Sequence, residues 1–256
     1  MFQTILVNPI LNALIWLYDV IPGNDLGVSI ILVTLIIKGI LFLPSLSSIR
    51  SQHQLQSIQP RVDAIRKKYT NREEQGKKLM ELYKQNKVNP FSSCLPLLIQ
   101  LPIIWALFRA FLVIQRVDPA TGLLAASDIS NLYGYLQAKY ATLPIDTSFF
   151  GIINLAATKN YILAVLGGAL SFWQVRMMQT KKPAITSNGA KDENIASIMS
   201  KQTTYLLPII TIFFGIQFPA GVTLYWVVST LFQVGQQWYF KKRHVVPSVK
   251  EEMSKV

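Results

Sequence analysis

Apolar residues along this chain gather in runs separated by strongly polar stretches. Five of these runs approach the roughly 20 residues that a helix needs to cross a hydrocarbon layer. They are residues 26–46 (LGVSIILVTLIIKGILFLPSL), 90–113, 160–178, 203–218 and 219–240. The fourth is short, at 16 residues, and the fifth follows it almost without a loop. Pro219 and Gly221 mark the tight turn between them. Residues 4–20 are also apolar, but Asn8, Pro9, Asn12 and Asp19 interrupt them. That pattern predicts an interfacial amphipathic helix within 1–25 rather than a sixth span.

The polar stretch 47–89 has its own periodicity. Ile58, Val62, Ile65 and Tyr69 recur at spacings of three and four, as do Leu79, Leu82 and Tyr83. Each set makes a modest apolar stripe on a helix. With a turn near Thr70–Asn71 and a bend at Pro60, the segment reads as an antiparallel helical hairpin. Its charged surface fits either a solvated face or a docking surface. Residues 181–194, KKPAITSNGAKDEN, read as a flexible linker within a loop spanning 179–202.

Charge orients these elements. Of 25 Lys and Arg residues, ten fall in 47–89, five in 176–202 and five in 241–256. The loop 114–159, similar in length to the first, has only Arg116, Lys139 and Lys159. Basic loops face the cytoplasm, so 47–89, 179–202 and the tail 241–256 belong inside, with 114–159 and the N-terminus outside. The formal net charge of +12 is then a membrane-sidedness signal and needs no nucleic acid to explain it. A lone cysteine, Cys94, excludes an intramolecular disulfide. With only His53 and His244 as imidazoles, no metal-ligand cluster is legible, and no catalytic or cofactor motif appears. The segment MFQTILVNPI has no basic leader and does not read as a signal peptide.

Polar residues inside the apolar runs carry the functional question. Lys38 lies eight residues before Leu46, about 12 Å along a continuous helix. An unpaired lysine at the midplane costs about 2.5–3.5 kcal/mol on insertion scales. Snorkelling toward headgroups would lower that cost, and so would a hydrated cavity. No acidic residue lies inside any of the five runs, so Lys38 has no ion-pair partner there. Thr34 sits one turn earlier on the same face, though its hydroxyl can satisfy itself on its own backbone. Gln100 must be hydrogen-bonded or wet. Gln217, Ser229 and Gln233 fit either a polar lining or ordinary interhelical bonds. Trp226 fits either packing or an interface position.

Three blocks resemble the YidC-type membrane protein insertases of bacteria, relatives of the mitochondrial and chloroplast inner-membrane insertases. They are IIKGILFLP followed by IQPRVDAIRKKY, then NKVNPFSSCLPLLIQLPIIWALFRAF, then LLPIITIFFGIQFPAGVTLYWVVSTLFQVGQQ. The similarity is collinear over roughly residues 5 to 243. It implies an all-α, five-span bundle with a cytoplasmic hairpin, sited in the bacterial plasma membrane and working as a monomer. It also implies a hydrophilic groove open to the cytoplasm and lipid, in which a basic residue attracts acidic tails of client membrane proteins. The matching position holds Lys38, where the family usually has arginine. Lysine keeps the charge but lacks the planar guanidinium fork. Gln100, Trp226, Thr34, Gln217, Ser229 and Gln233 are the further groove candidates.

By this resemblance the partners are nascent client membrane proteins and the lipid bilayer, with the Sec translocon and the ribosome left open. The sequence as given shows neither the large periplasmic domain of Gram-negative members nor a lipoprotein-type leader. The 16 residues after Phe240 are shorter than the ribosome-binding tails of some relatives. An insertase and chaperone, with no enzymatic chemistry and no cofactor, is the leading expectation. A small-solute transporter or channel using Lys38 as an anion or proton site is the competing one. Against it, the chain lacks an inverted repeat with paired broken spans. A scaffold subunit that tolerates loss of the Lys38 charge is the third.

Overall fold

A computed structural model describes residues 1–86, 88–89, 95–178 and 191–243. Most of the 181–194 linker, Cys94, His244 and the tail beyond Arg243 lie outside the described residues. The described chain is predominantly helical: α1 (Asn8–Val20), α2 (Leu26–Ile40), α3 (Phe42–Ser57), α4 (Gln59–Lys68), α5 (Arg72–Gln85) and α6 (Leu95–Gln115) come first. Two short helices, α7 (Ala126–Ile129) and α8 (Gly134–Tyr140), precede a β-hairpin of β1 (Ser148–Phe149) and β2 (Ile153–Asn154). Then come α9 (Tyr161–Met178), α10 (Lys191–Gln217) and α11 (Ala220–Arg243).

The first apolar run is not one straight helix. It breaks at Leu41, and α2 and α3 meet at a bend of 66°. Pro44 supplies the physical reason. In a continuous helix its ring would collide with the carbonyl of Ile40, and it has no N–H to donate there. In the first turn of a new helix that missing donor costs nothing. The second arm is also segmented: α3 ends at Ser57 and Pro60 sits in the first turn of α4. At the far turn, the Asn71 side chain accepts the Glu73 N–H at 2.9 Å and caps α5. α4 and α5 pack on each other, with Ile58, Val62 and Leu82 buried.

Two other boundaries differ from expectation. α10 starts at Lys191, so the end of the expected linker, and residues up to 202, are helical. The loop 114–159 carries folded elements that pack on α1 and α2. Its two ends of the contact are far apart in sequence, so no local pattern signals it. The Asn12 amide donates to the Asn131 carbonyl at 2.9 Å, and its carbonyl accepts the Tyr133 N–H at 2.6 Å. The Tyr18 hydroxyl accepts the Asp146 N–H at 2.8 Å. Asn12 is therefore buried and satisfied rather than facing water, as a simple interfacial helix would require. Exposed Ile5, Trp16 and Val20 lie on the remaining surface of this N-terminal segment.

Asp19 locks the same contact, accepting from Lys139 and, at 2.9 Å, from the Tyr140 hydroxyl. The Lys139 ammonium, more than the Tyr140 hydroxyl, holds its carboxyl below the usual aspartate range. A lowered folded-state value means that the stabilisation is present above the unfolded pKa of about 3.9. It is lost as pH falls through the folded value. Amide exchange of residues 131–146 therefore accelerates below about pH 4 in the wild type. In Asp19→Asn it is already fast at neutral pH and loses that acid step. An unchanged exchange profile in Asp19→Asn would remove this lock from the account.

At the same end, the Asp25 carboxylate accepts the Val28 N–H at 2.9 Å and caps α2. Its other oxygen accepts the Phe150 N–H at 2.6 Å, holding the hairpin tip. The core runs through α1, α2, α6, α11 and this folded loop, with Leu11, Ile15, Leu26, Ile30, Ile114 and Tyr225 almost fully buried. α9 packs mainly against α10 and α11.

Among the described residues one helix, over Leu98–Gln115, is long and apolar enough to cross a membrane alone. α2 with α3 qualifies as a bent pair, while Tyr161–Met177 and Thr204–Gln217 are shorter apolar helices. In α11, Gln233, Gln236 and Gln237 interrupt the apolar character of the half that follows Ser229.

Candidate functional site

The break at Leu41 changes where Lys38 sits. Instead of mid-helix, it lies in the last turn of α2. There the unpaired carbonyls of the helix end carry partial negative charge, which favours a cation by about 0.3–1 kcal/mol. The side chain does not run out toward solvent. Lys38 is only 6% exposed, and its ammonium donates to the Gln100 Oε1 of α6 at 3.0 Å. Snorkelling along a straight span, the rival reading from sequence, does not describe this arrangement.

Gln100 in turn donates through its Nε2 to the Tyr225 hydroxyl of α11. Ser229, one turn further along α11, lies against that same hydroxyl and is itself buried. Lys38, Gln100, Tyr225 and Ser229 thus join α2, α6 and α11 through one polar cluster inside an apolar bundle. Among the described residues no carboxylate pairs with Lys38; the ion pairs are Lys78–Glu81, Arg116–Asp128 and Lys139–Asp19. A buried ammonium that meets only a neutral amide keeps unused donors, because an ammonium has three.

The other residues singled out from sequence go elsewhere. Thr34 is fully buried and donates to the Ile30 carbonyl at 2.6 Å, so its hydroxyl is spent on its own helix. Trp226 packs edge-on against Phe218 at 5.6 Å, in an aromatic cluster with Phe108 and Phe214. Gln233 accepts from Gln174 and ties α11 to α9. Gln217 is exposed at the end of α10, beside Ile216, whose carbonyl accepts the Lys159 N–H at 2.9 Å. That is the end holding the folded loop, away from the α2–α3 break.

Tyr225 is the member that sequence reasoning passed over. The signal was present: it stands four residues before Ser229, on the same helix face. A phenol counts as apolar in a hydropathy reading, although a buried one needs a partner.

A second polar patch lies further along α11. Ser45 donates to the Gln236 Oε1 at 3.0 Å, linking α3 to α11. The Gln236 Nε2 and the Gln237 Oε1 are buried without partners. A cavity of about 420 Å³ lies between α1 and α8, lined by Asn12, Trp16, Tyr133 and Tyr135 among others. It is at the opposite end from Lys38. No group of His, Cys, Asp and Glu among the described residues could hold a metal ion.

Residues 16–247 match the family model described as 60Kd inner membrane protein. The membrane protein insertase YidC of Fusobacterium nucleatum is 34% identical over 226 residues, covering 88% of this chain and 90% of that protein. The YidC of Ectopseudomonas mendocina is 32% identical over 231 residues, and that of Pelobacter propionicus 32% over 244. The chain spans 33% and 39% of those two longer relatives. Among solved structures, an active YidC insertase with its first transmembrane domain resolved matches with a TM-score of 0.59 at 24% identity. That match covers 93% of this chain and 46% of the other, and it bears on the fold alone.

Proposed function

The chain belongs to the YidC-type family of inner membrane proteins, whose curated members are named insertases rather than enzymes, and we propose that it inserts client membrane proteins into a bacterial plasma membrane and assists their folding. In this reading α2 with the start of α3 (to residue 46), α6, α9, the apolar part of α10, and α11 form five spans. The hairpin segment 47–89, the loop 179–202 and the tail 241–256 are cytoplasmic, and the N-terminus and loop 114–159 are outside. The polar cluster around Lys38 opens toward the cytoplasm as a hydrophilic groove. An acidic tail enters it, and client hydrophobicity then drives release into lipid. The chain acts as a monomer, with nascent clients and bilayer lipid as its partners.

The observation that carries this reading is the unneutralised Lys38 ammonium inside the bundle, met by an amide and not by a carboxylate. A protein that kept such a charge only for structure would gain by pairing or replacing it. Helix length adds support. At 1.5 Å per residue, the apolar part of α10, Thr204–Gln217, spans about 21 Å, against a hydrocarbon core of about 30 Å. Short spans favour local thinning of the bilayer, which shortens a client's path.

The test is reconstitution in liposomes with a small client bearing an acidic tail, scored by protease protection of the tail, alongside anion and proton flux. Client insertion without solute flux is the expected outcome. Flux with no insertion would replace this reading with the transporter.

A further inference from the structure

Resting on the insertase reading, we infer that Gln100 is a placeholder for the client carboxylate: its Oε1 occupies on Lys38 the position that a client oxygen takes, and Tyr225 braces the amide from its other side. Gln100 and Tyr225 are thus positioning residues that set the selectivity of the site for tail charge.

The geometry leaves the amide one orientation. Its Oε1 accepts from Lys38 at 3.0 Å, while its Nε2 donates to the Tyr225 hydroxyl. Reversing it would set an NH2 group against an ammonium, donor against donor, whereas the Tyr225 hydroxyl, donor and acceptor both, can meet either end of the amide. The three groups come from three helices, so the amide is braced from both sides rather than swinging freely. At 6% exposure, the lysine is covered while the amide is in place. A client oxygen must therefore displace Gln100 or share the ammonium beside it.

A placeholder of this kind is neutral for a reason. An amide oxygen satisfies a buried ammonium without cancelling its charge, so a carboxylate can still outbid it. The Lys38–Gln100 bond is already charge-assisted, so what a carboxylate adds is the Coulomb attraction between two unit charges. A resident carboxylate would form an ion pair that no client tail could displace, because removing one partner of a buried pair is strongly unfavourable. The cluster also holds the ammonium toward α6, within the bundle, rather than along the α2 axis toward the headgroups. Gln100 thereby keeps the charge at the site between clients.

The experiment compares insertion of two clients that differ only in their tails, one with two aspartates and one with asparagines in their place. It uses the full chain in liposomes, and the readout is the acidic-to-neutral insertion ratio. Gln100→Glu supplies a permanent internal carboxylate and lowers that ratio by about tenfold or more. Gln100→Leu, which leaves Lys38 uncovered, keeps a ratio at or above the wild-type value. Tyr225→Phe, which removes the brace on the amide, brings the ratio part-way down. Equal loss of both clients in Gln100→Glu would show a structural role and overturn the placeholder. So would a ratio in Gln100→Leu that falls as far as in Gln100→Glu. A wild-type ratio in Gln100→Glu, with Lys38→Ala impaired, would sink this inference and leave the insertase reading standing. Normal acidic-tail insertion by Lys38→Ala would instead sink the charge mechanism beneath both.

Discussion

Lys38→Ala lowers insertion of an acidic-tailed client about five- to seventyfold, whereas Lys38→Arg retains most of it. Two opposing quantities set that range. A unit charge pair near 4 Å is worth about 4 kcal/mol at an effective dielectric of about 20. Against it stands the existing bond to Gln100, since a hydrogen bond to a charged group contributes about 1.5–3 kcal/mol. The difference, about 1–2.5 kcal/mol, corresponds to roughly five- to seventyfold. It biases a tail toward the site without trapping it there. Arginine keeps the charge and adds a fork that can reach both a carboxylate and Gln100. Protease protection in liposomes at fixed protein content measures the effect. An alanine variant that inserts normally would sink the charge mechanism and leave the insertase assignment standing, with client hydrophobicity alone as the driving force.

The second large effect is on stability. A Cβ at Gly168 would stand 2.4 Å from Ile212 Cγ1 and 3.2 Å from the Pro208 carbonyl oxygen. α9 and α10 therefore approach as closely as they do because that position has no side chain, the usual device where packing replaces hydrophobic drive between helices. Gly168→Val overfills the seam and costs about 1–3 kcal/mol. Thermal unfolding in detergent shifts down by roughly 2–10 °C. Gly235→Ala in α11 is the control, because nothing lies within 4 Å of that Cβ. It loses no stability, and removing a helical glycine adds about 0.5–1 kcal/mol. Equal midpoints for the Gly168 and Gly235 variants would contradict the α9–α10 contact.

The sequence displayed the helices through their hydrophobic runs, and α9 has nearly the ends its run predicts, Tyr161 and Met178. It was less legible where a local rule cuts through a continuous apolar stretch. The hydropathy of 26–46 does not register the break at Leu41, although Pro44 was in plain view. That break, not hydrophobicity, places Lys38 at a helix end. The charged residues 191–202 read as a loop by polarity, yet they continue a helix into the apolar part of α10. The loop 114–159 was the least legible, because Asn12, Tyr18 and Asp19 meet partners about 120 residues away. No periodicity encodes such contacts.

At the site, Lys38 and Gln100 were readable as polar residues stranded in apolar runs. Their pairing was not, since it joins α2 to α6. Ser229 belongs with them through Tyr225, a residue hidden by its aromatic character. Trp226, Gln217 and Gln233 drew attention for polarity or size, but Trp226 packs on Phe218, Gln233 pairs with Gln174, and Gln217 lies exposed at the end of α10. The lysine itself is less puzzling in this setting than on a straight span. A single Nζ is enough to meet one amide oxygen and hold two further donors for a client.

Reversing the charge at position 38 tests most directly whether that charge reads the client tail. Lys38→Glu and the wild type are each reconstituted with two clients, one bearing an aspartate tail and one a lysine tail, and insertion is followed by protease protection. The wild type favours the aspartate tail and Lys38→Glu the lysine tail, so the preference inverts with the sign of the residue. A Lys38→Glu variant that keeps the wild-type preference would show that tail recognition does not run through Lys38.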